Sequence, residues 1–369
     1  MAELIIQRKR IQQNIIKLGE YFSEKEIKWS LITKVFSGDK RFLKNVLSQE
    51  VIQHINSVGD SRLSSLDNLR QLNPKMHTIY IKPPAAIYAR EVVRLATVSL
   101  NSSLSTIKSL NEEAAKEGIV HEIIIMIELG ELREGVNEED TLDFYREVYQ
   151  LSNIKVSGIG SNLGCMYGVV PDEEKFHLII ALQKKIERKF NVRLPLISAG
   201  TSITLPMLEE GKLPKEINHF RVGEAAFFGI SPLNEKGFLD LHTETFQFKA
   251  NIIELQEKKL VPEGEISDAN IGQVAEFDEK EKDRSSNKAI LDFGLVDVDH
   301  ENLSLYDDRD ITFVGITSDM TVLDIGENKN EDGSQRFKVG DTILMRANYM
   351  AVVRLLNSKF VSKVYLDEN

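Results

Sequence analysis

Apolar and polar positions along the first two-thirds of the chain switch repeatedly between two periods. Ile11, Ile15, Leu18 and Phe22 recur at spacings of four, three and four, which predicts an amphipathic helix over 8–22. Short β-favouring runs then take turns with helical patterns. The strands predicted are 27–35, 54–58, 77–81, 97–100, 121–129, 154–159, 194–198 and 220–222. Between them, helices are predicted at 40–51, 63–72, 85–95, 103–117, 138–151, 172–190 and 203–210. The run Ile123-Ile-Ile-Met-Ile127 is apolar throughout, as a parallel strand covered on both faces should be.

Eight β–α repeats in this length predict a closed (β/α)8 TIM barrel. An open doubly wound sheet is the alternative, and the absence of a crossover break weighs against it. After Pro232 the pattern changes. Phe246, Phe248, Ala250 and Ile252 alternate as on a half-buried strand. Further strands are predicted at 289–293, 311–314, 322–325 and 342–345. They are separated by the turn signals Pro262-Glu-Gly264, Glu331-Asp-Gly333 and Val339-Gly-Asp341. The charged stretch 277–287 reads as a mobile loop. The expectation is an α/β barrel over 1–235 and a C-terminal all-β domain over 236–369.

A length of 369 residues suits two domains. The net charge of −11 argues against a nucleic-acid partner and against an anionic membrane surface. A single cysteine, Cys165, excludes an intrachain disulfide and fits a reducing compartment. No apolar run has the length of a membrane span, and the N-terminus lacks the apolar core of a signal peptide. A soluble, cytoplasmic protein is expected.

In such a barrel the chemistry sits at the C-terminal ends of the strands. The first strand ends in Thr33-Lys34. A lysine there can have a lowered pKa, act as a nucleophile or carry a proton; the other reading is a side chain that carries its charge past the strand end into solvent. The later ends read Asp60-Ser-Arg62, Asn101-Ser102, Glu128-Leu-Gly-Glu-Leu-Arg-Glu-Gly135, Gly160-Ser-Asn162, Ser198-Ala-Gly-Thr-Ser202 and Arg221-Val-Gly-Glu224. Loops after the seventh and eighth strands commonly bind phosphate, and Gly200-Thr-Ser202 with Gly223 suits that use. Taken singly, Thr201 or Ser202 would just cap a helix. Arg133 and Arg221 are candidate cations, with a plain salt bridge as the alternative. Cys165 reads best as a packing residue. The histidines show no metal-ligand spacing, and no dinucleotide fingerprint is present.

These strand-end segments, in this order, resemble the alanine-racemase-like (fold type III) family of pyridoxal-phosphate enzymes, and within it the ornithine racemase branch. The matching pieces are Ile32-Thr-Lys-Val35, Gly59-Asp-Ser-Arg62, Ser99-Leu-Asn-Ser102, Glu128 to Gly135, Gly158 to Leu163, Ser198 to Ser202 and Arg221 to Ala225. Weaker matches follow at Asp297-Val-Asp299, Ser318-Asp319 and Asn348-Tyr349.

The resemblance implies that Lys34 holds pyridoxal 5′-phosphate as a Schiff base and then serves as one acid–base group at Cα. It implies that Thr201, Ser202, Gly223 and Glu224 bind the phosphate, the last two through backbone. It places Arg221 at the pyridine nitrogen, Arg133 near the phenolic oxygen, and Asn162 where the wider family has a histidine. It further implies a homodimer, with the active site between one subunit's barrel and the other's β domain. Family members take their second base from a tyrosine in that β domain, but the corresponding segment here, Phe293-Gly-Leu-Val-Asp297, carries Leu295. Tyr349 is the substitute considered, against a purely packing role. Ser318 and Asp319 are candidates for fixing the substrate's carboxylate, against a plain turn. The implied function is a racemase of small-molecule amino acids, of ornithine type or with another side chain, including a basic one. The alternatives are a D-amino-acid aldolase or lyase, and a cofactor-binding or regulatory homologue without racemase activity.

Overall fold

The computed structural model describes residues 1–267, 271–307 and 309–367, and the chain divides into two compact units. One unit comprises Arg8–Thr243; the other joins Met1–Gln7 to the chain from Glu244 onward. Strand β1 (Glu3–Gln7) therefore belongs to the second unit, whereas sequence reasoning starts the barrel at residue 1 and ends it at 235.

The first unit holds β2 (Lys28–Ile32), β3 (Ser57–Asp60), β4 (Thr78–Tyr80), β5 (Val98–Asn101), β6 (His121–Met126), β7 (Ile154–Gly160), β8 (Leu196–Ser198), β9 (Gly200–Thr201) and β10 (His219–Val222). Every pairing among them is parallel, in the order β8-β7-β6-β5-β4-β3-β2-β10-β9. The two ends of that path, β8 and β9, are separated in the chain by Ala199 alone, so the sheet is nearly closed on itself. This is the expected barrel.

The helices cover it for reasons visible in sequence. Arg8–Glu24 buries Ile11, Ile15, Leu18 and Phe22, and the Phe22 ring lies 5.0 Å from that of Phe220 on β10. Glu173–Phe190 starts at Asp172, whose carboxylate accepts from the Lys175 N–H at 2.9 Å, and stops at Asn191 in the left-handed region. Its first turn is acidic and its last basic, in the sense the helix dipole favours.

Several predicted elements are shorter than expected, and two of these bear on the site. The first strand ends at Ile32, not Val35, and Lys34–Phe36 forms a turn of 3₁₀ helix closed by Ser37 at φ 49°. The predicted helix 40–51 breaks after Val46, and Ser48 caps a separate turn, Gln49–Ile52.

The second unit is a mostly antiparallel sheet. After β1 it contains β11 (Phe246–Lys259), β12 (Gln273–Val274), β13 (Ser285–Leu291), β14 (Leu303–Leu305), β15 (Thr312–Ile316), β16 (Thr321–Asp324), β17 (Thr342–Ala347) and β18 (Ser362–Leu366). Their main order is β12-β15-β16-β13-β11-β1-β18, with β17 bridging β11 and β14. The stretch read as a loop, 277–287, contains a 3₁₀ turn at Glu279–Glu281, and Ser285 to Asn287 pair with β11. Alternating partners on a long neighbouring strand override the charged composition there. A helix absent from the sequence reading, Tyr349–Asn357, buries Ala351, Val352, Leu355 and Leu356.

Candidate active site

Lys34 follows directly on the C-terminal end of β2, and its side chain is exposed. The turn that carries it is anchored by rings. Phe36 stacks on Phe42 at 3.5 Å between centroids and meets Phe227 edge-on at 4.5 Å. Phe227 belongs to the helical turn Glu224–Phe228, which follows β10. That packing ties the Lys34 turn to the Glu224 turn, and the charges register it. Burial raises the Glu224 carboxyl above its usual range, and the Lys34 ammonium acts in the opposite sense. Behind Lys34, Thr33 donates to the fully buried Asp60 carboxylate at 3.1 Å, and the Arg62 N–H adds a bond at 3.0 Å. Burial still holds that carboxyl above its ordinary value.

Arg221 makes four hydrogen bonds. It is buried on β10. One terminal nitrogen donates to the Ser198 carbonyl and, at 2.5 Å, to Ser198 Oγ. The other donates to the Ser161 carbonyl at 2.7 Å and to Asn162 Oδ1 at 2.6 Å. Burial lowers its pKa to about 10, Glu134 works to raise it and Arg133 to lower it. The guanidinium therefore stays charged at neutral pH.

Two residues before it, His219 sits between Ser198 Oγ (2.7 Å from Nδ1) and Ser30 Oγ (3.1 Å from Nε2), and Ser30 meets Ser57 at 2.6 Å. Burial first, then the Arg221 and Lys28 charges, lower His219 to about 3, so the ring is neutral. A neutral ring satisfied at both nitrogens accepts at one of them and donates from the other, and either hydroxyl can play either part.

The loop 128–135 is folded by its own carboxylates. Glu128 accepts from the N–H groups of Gly130, Leu132 and Arg133, at 2.5, 3.1 and 3.1 Å. Glu131 is buried and accepts four N–H groups from the neighbouring loop, those of Cys165, Met166, Tyr167 and Val169, at 2.8–3.1 Å. Burial raises its pKa and those four bonds outweigh it, leaving the carboxyl below its usual range. Glu134 is gripped by Arg133 through Nε and, at 2.6 Å, through the second terminal nitrogen. Arg133 also donates to Cys165 Sγ at 2.7 Å. Asn162 Nδ2 donates to the same Glu134.

At the other expected phosphate residues, Thr201 begins the turn Ser202–Thr204 and exchanges bonds with Thr204; its N–H donates to Thr204 Oγ1 at 2.9 Å. Ser202 Oγ accepts from the Ala225 N–H at 3.3 Å, which joins this turn to the one after Gly223. A Cβ on Gly223 would lie 2.8 Å from the Ile32 carbonyl, so a side chain there has no room. Small residues, hydroxyls and free-standing turn starts at the ends of β9 and β10, with a lysine at the end of β2, are a donor set that fits a phosphorylated aldehyde.

The remaining expected residues lie in the second unit. Leu295 and Val296 donate their N–H groups to the carbonyls of Thr317 and Ser318, at 2.9 and 3.0 Å. Gly294 packs so closely on Ser318 and Asp319 that a Cβ would collide with their backbone. The turn 293–297 and the turn 317–319 are therefore one assembly. The helix Tyr349–Asn357 joins it through Arg354, which donates to the Leu295 carbonyl at 2.9 Å. Tyr349 is the first residue of that helix and half-buried; Ser318 and Asp319 are exposed.

Lys34, Glu224, Thr201, Ser202, Gly223, Arg221, Asn162 and Arg133 thus lie on one connected set of strand ends. Sequence reasoning gave no role to Glu134, Ser198 or His219. Glu134 and Ser198 stood inside the quoted motifs, but only their hydrogen bonds give them a task.

Among the described residues, no group of three or more His, Cys, Asp or Glu could hold a metal ion, and no helix is long and apolar enough to cross a membrane. Residues 6–232 match the family model described as alanine racemase, N-terminal domain. The chain is 32% identical over 340 residues to an ornithine racemase of Acetoanaerobium sticklandii, covering 92% of each protein. It is 30% identical over 363 residues to a lysine racemase of Thermotoga maritima, covering 98% of each. Its fold is similar to that of an alanine racemase from Bartonella henselae solved with covalently bound pyridoxal phosphate, with a TM-score of 0.73 at 13% identity and 99% of both chains covered.

Proposed function

The chain belongs to the alanine racemase family and is an amino-acid racemase that uses pyridoxal 5′-phosphate, and from that premise we propose that it interconverts the L and D forms of a basic amino acid of the ornithine and lysine kind. The substrate class is supported by the two relatives, whose names carry those two amino acids. The single observation that carries the site is Lys34: an exposed amine at the end of β2, electrostatically coupled to the turn that follows Gly223.

In this reading Lys34 holds the cofactor covalently and afterwards moves the proton at the substrate's Cα on one face. The bound cofactor supplies an electron sink for the carbanion left when that proton departs. The hydroxyls of Thr201 and Ser202 and the backbone N–H groups of Gly223 and Glu224 hold its phosphate. Arg221, fixed by four acceptors, would meet the ring nitrogen and disfavour a proton there. Arg133 and Asn162 would flank the ring. Tyr349 is the group proposed to exchange the proton on the opposite face, and Ser318 and Asp319 to fix the substrate carboxylate. A homodimer is part of the proposal.

One observation favours a second reading. Leu295 stands where the family's tyrosine is expected and cannot move a proton, which fits a cofactor-binding homologue without turnover. The two separate in heavy water. The purified protein is given pyridoxal 5′-phosphate and then L- or D-ornithine, lysine or alanine, and the α-proton is followed by NMR. A visible absorbance band with Cα exchange and inversion, fastest for ornithine or lysine, is expected. A band without exchange on any of these substrates overturns the racemase mechanism in favour of the binder.

A further inference from the structure

Asn162 is held from two sides. Its carbonyl oxygen accepts from the Arg221 guanidinium at 2.6 Å, and its amide nitrogen donates to Glu134. The side-chain amide is thus fixed in the one orientation that offers Arg221 an acceptor. Turned over, it would present N–H groups to a guanidinium, which only donates. Glu134 is what distinguishes the two orientations, because a carboxylate only accepts. The same carboxylate takes two donors of Arg133, whose third nitrogen is engaged by Cys165. The Glu134 side chain is 10% exposed, so water competes little for it.

We propose that Glu134 is a positioning residue that sets the cofactor's electrostatic surroundings through Asn162: it locks the Asn162 amide so that Arg221 is held and aimed. This rests on the cofactor reading above. The role is distinct from that of a buried ion pair kept for stability. It acts through a named intermediary, Asn162, and so makes a prediction about coupling between two positions.

The test is a double-mutant cycle read by cofactor binding rather than turnover. Apo-protein of the wild type, Glu134→Gln, Asn162→Ala and the double variant is titrated with pyridoxal 5′-phosphate, and the dissociation constant and the position of the visible band are recorded. Glu134→Gln is expected to weaken binding about tenfold, as loss of one charge-assisted bond would, and to shift the band. In the Asn162→Ala background the same change is expected to alter binding less than about twofold, because the intermediary is gone. Glu134→Asp, which keeps the charge but shortens the reach, should fall between; it also carries the test if Glu134→Gln does not fold. Multiplicative effects in the cycle, or wild-type affinity and band in Glu134→Gln, overturn the proposal while leaving the cofactor reading intact. A wild type that takes up no cofactor overturns both.

Discussion

On one side of the barrel Ile79, Leu100, Ile124 and Met126 pack into an apolar cluster, joined by Ile81, Val98 and Leu196. On the other, β2, β8 and β10 contribute Ser30, Ser198, His219 and Arg221, each hydrogen-bonded to another. The first side is filled by volume and the second by donors and acceptors. Apolar filling is tolerant of exchange but intolerant of voids; polar filling is intolerant of any missing partner. Arg221 sits on the polar side, where a guanidinium can be kept charged and still.

The largest expected break in this comparison is on the polar side. Lys34→Ala should abolish the cofactor band and lower racemisation by roughly 10²–10⁴-fold, as loss of a proton carrier does, without changing thermal unfolding of the apo-protein. On the apolar side, Leu100→Ala should destabilise by about 2–5 kcal/mol in denaturant unfolding, yet leave cofactor affinity per folded molecule unchanged. A Leu100→Ala protein that is stable but binds the cofactor poorly would remove the division of labour.

Next in size is Gly223→Ala, whose Cβ must displace the Ile32 carbonyl; about tenfold weaker binding of the cofactor is expected, with a smaller loss of stability. The smallest effect concerns pH. His219, on the polar side, is held neutral by burial with its pKa lowered to about 3. His121, bonded to Ser99 at 2.9 Å, is likewise lowered by burial, to about 4. In both, the folded pKa lies below the unfolded value. The unfolded chain therefore takes up more protons between the two, and stability present above about pH 6.5 falls as the medium is acidified. Each histidine should contribute up to about 1 kcal/mol per pH unit below pH 6.5, and His219→Gln or His121→Gln should flatten the slope measured between pH 6.5 and 5. An unchanged slope in both variants would mean that neither ring is neutral in the folded chain.

Much of the barrel is legible in sequence because parallel strands buried on both faces are short apolar runs, and helices over them keep a 3.6-residue period. The strand-end positions of Lys34, Asn162 and Arg221 follow from that alternation alone. The position of Glu134 in the sequence was as visible, but its task was not: it depends on Asn162, twenty-eight residues later, turning its amide toward it. The first strand was missed because Gln7 runs into the helix at Arg8 with no turn residue between them. The helix Tyr349–Asn357 could have been found. Asn348 caps it by accepting from the Ala351 N–H, and Ala351, Val352, Leu355 and Leu356 keep helical spacing. Its shortness and the strand pattern before it hid that signal.

β1 lies between β11 and β18, paired antiparallel with the one and parallel with the other. During synthesis β1 leaves the ribosome hundreds of residues before either neighbour exists. The barrel's pairings join neighbouring segments, and most of that unit can form while β1 waits as an unpaired strand with both edges open. The sheet of the second unit is completed only when Ser362–Leu366 has been made. Native order there thus waits on β18, and the interval before it is the time in which the exposed edges of β1 can pair with the wrong partner.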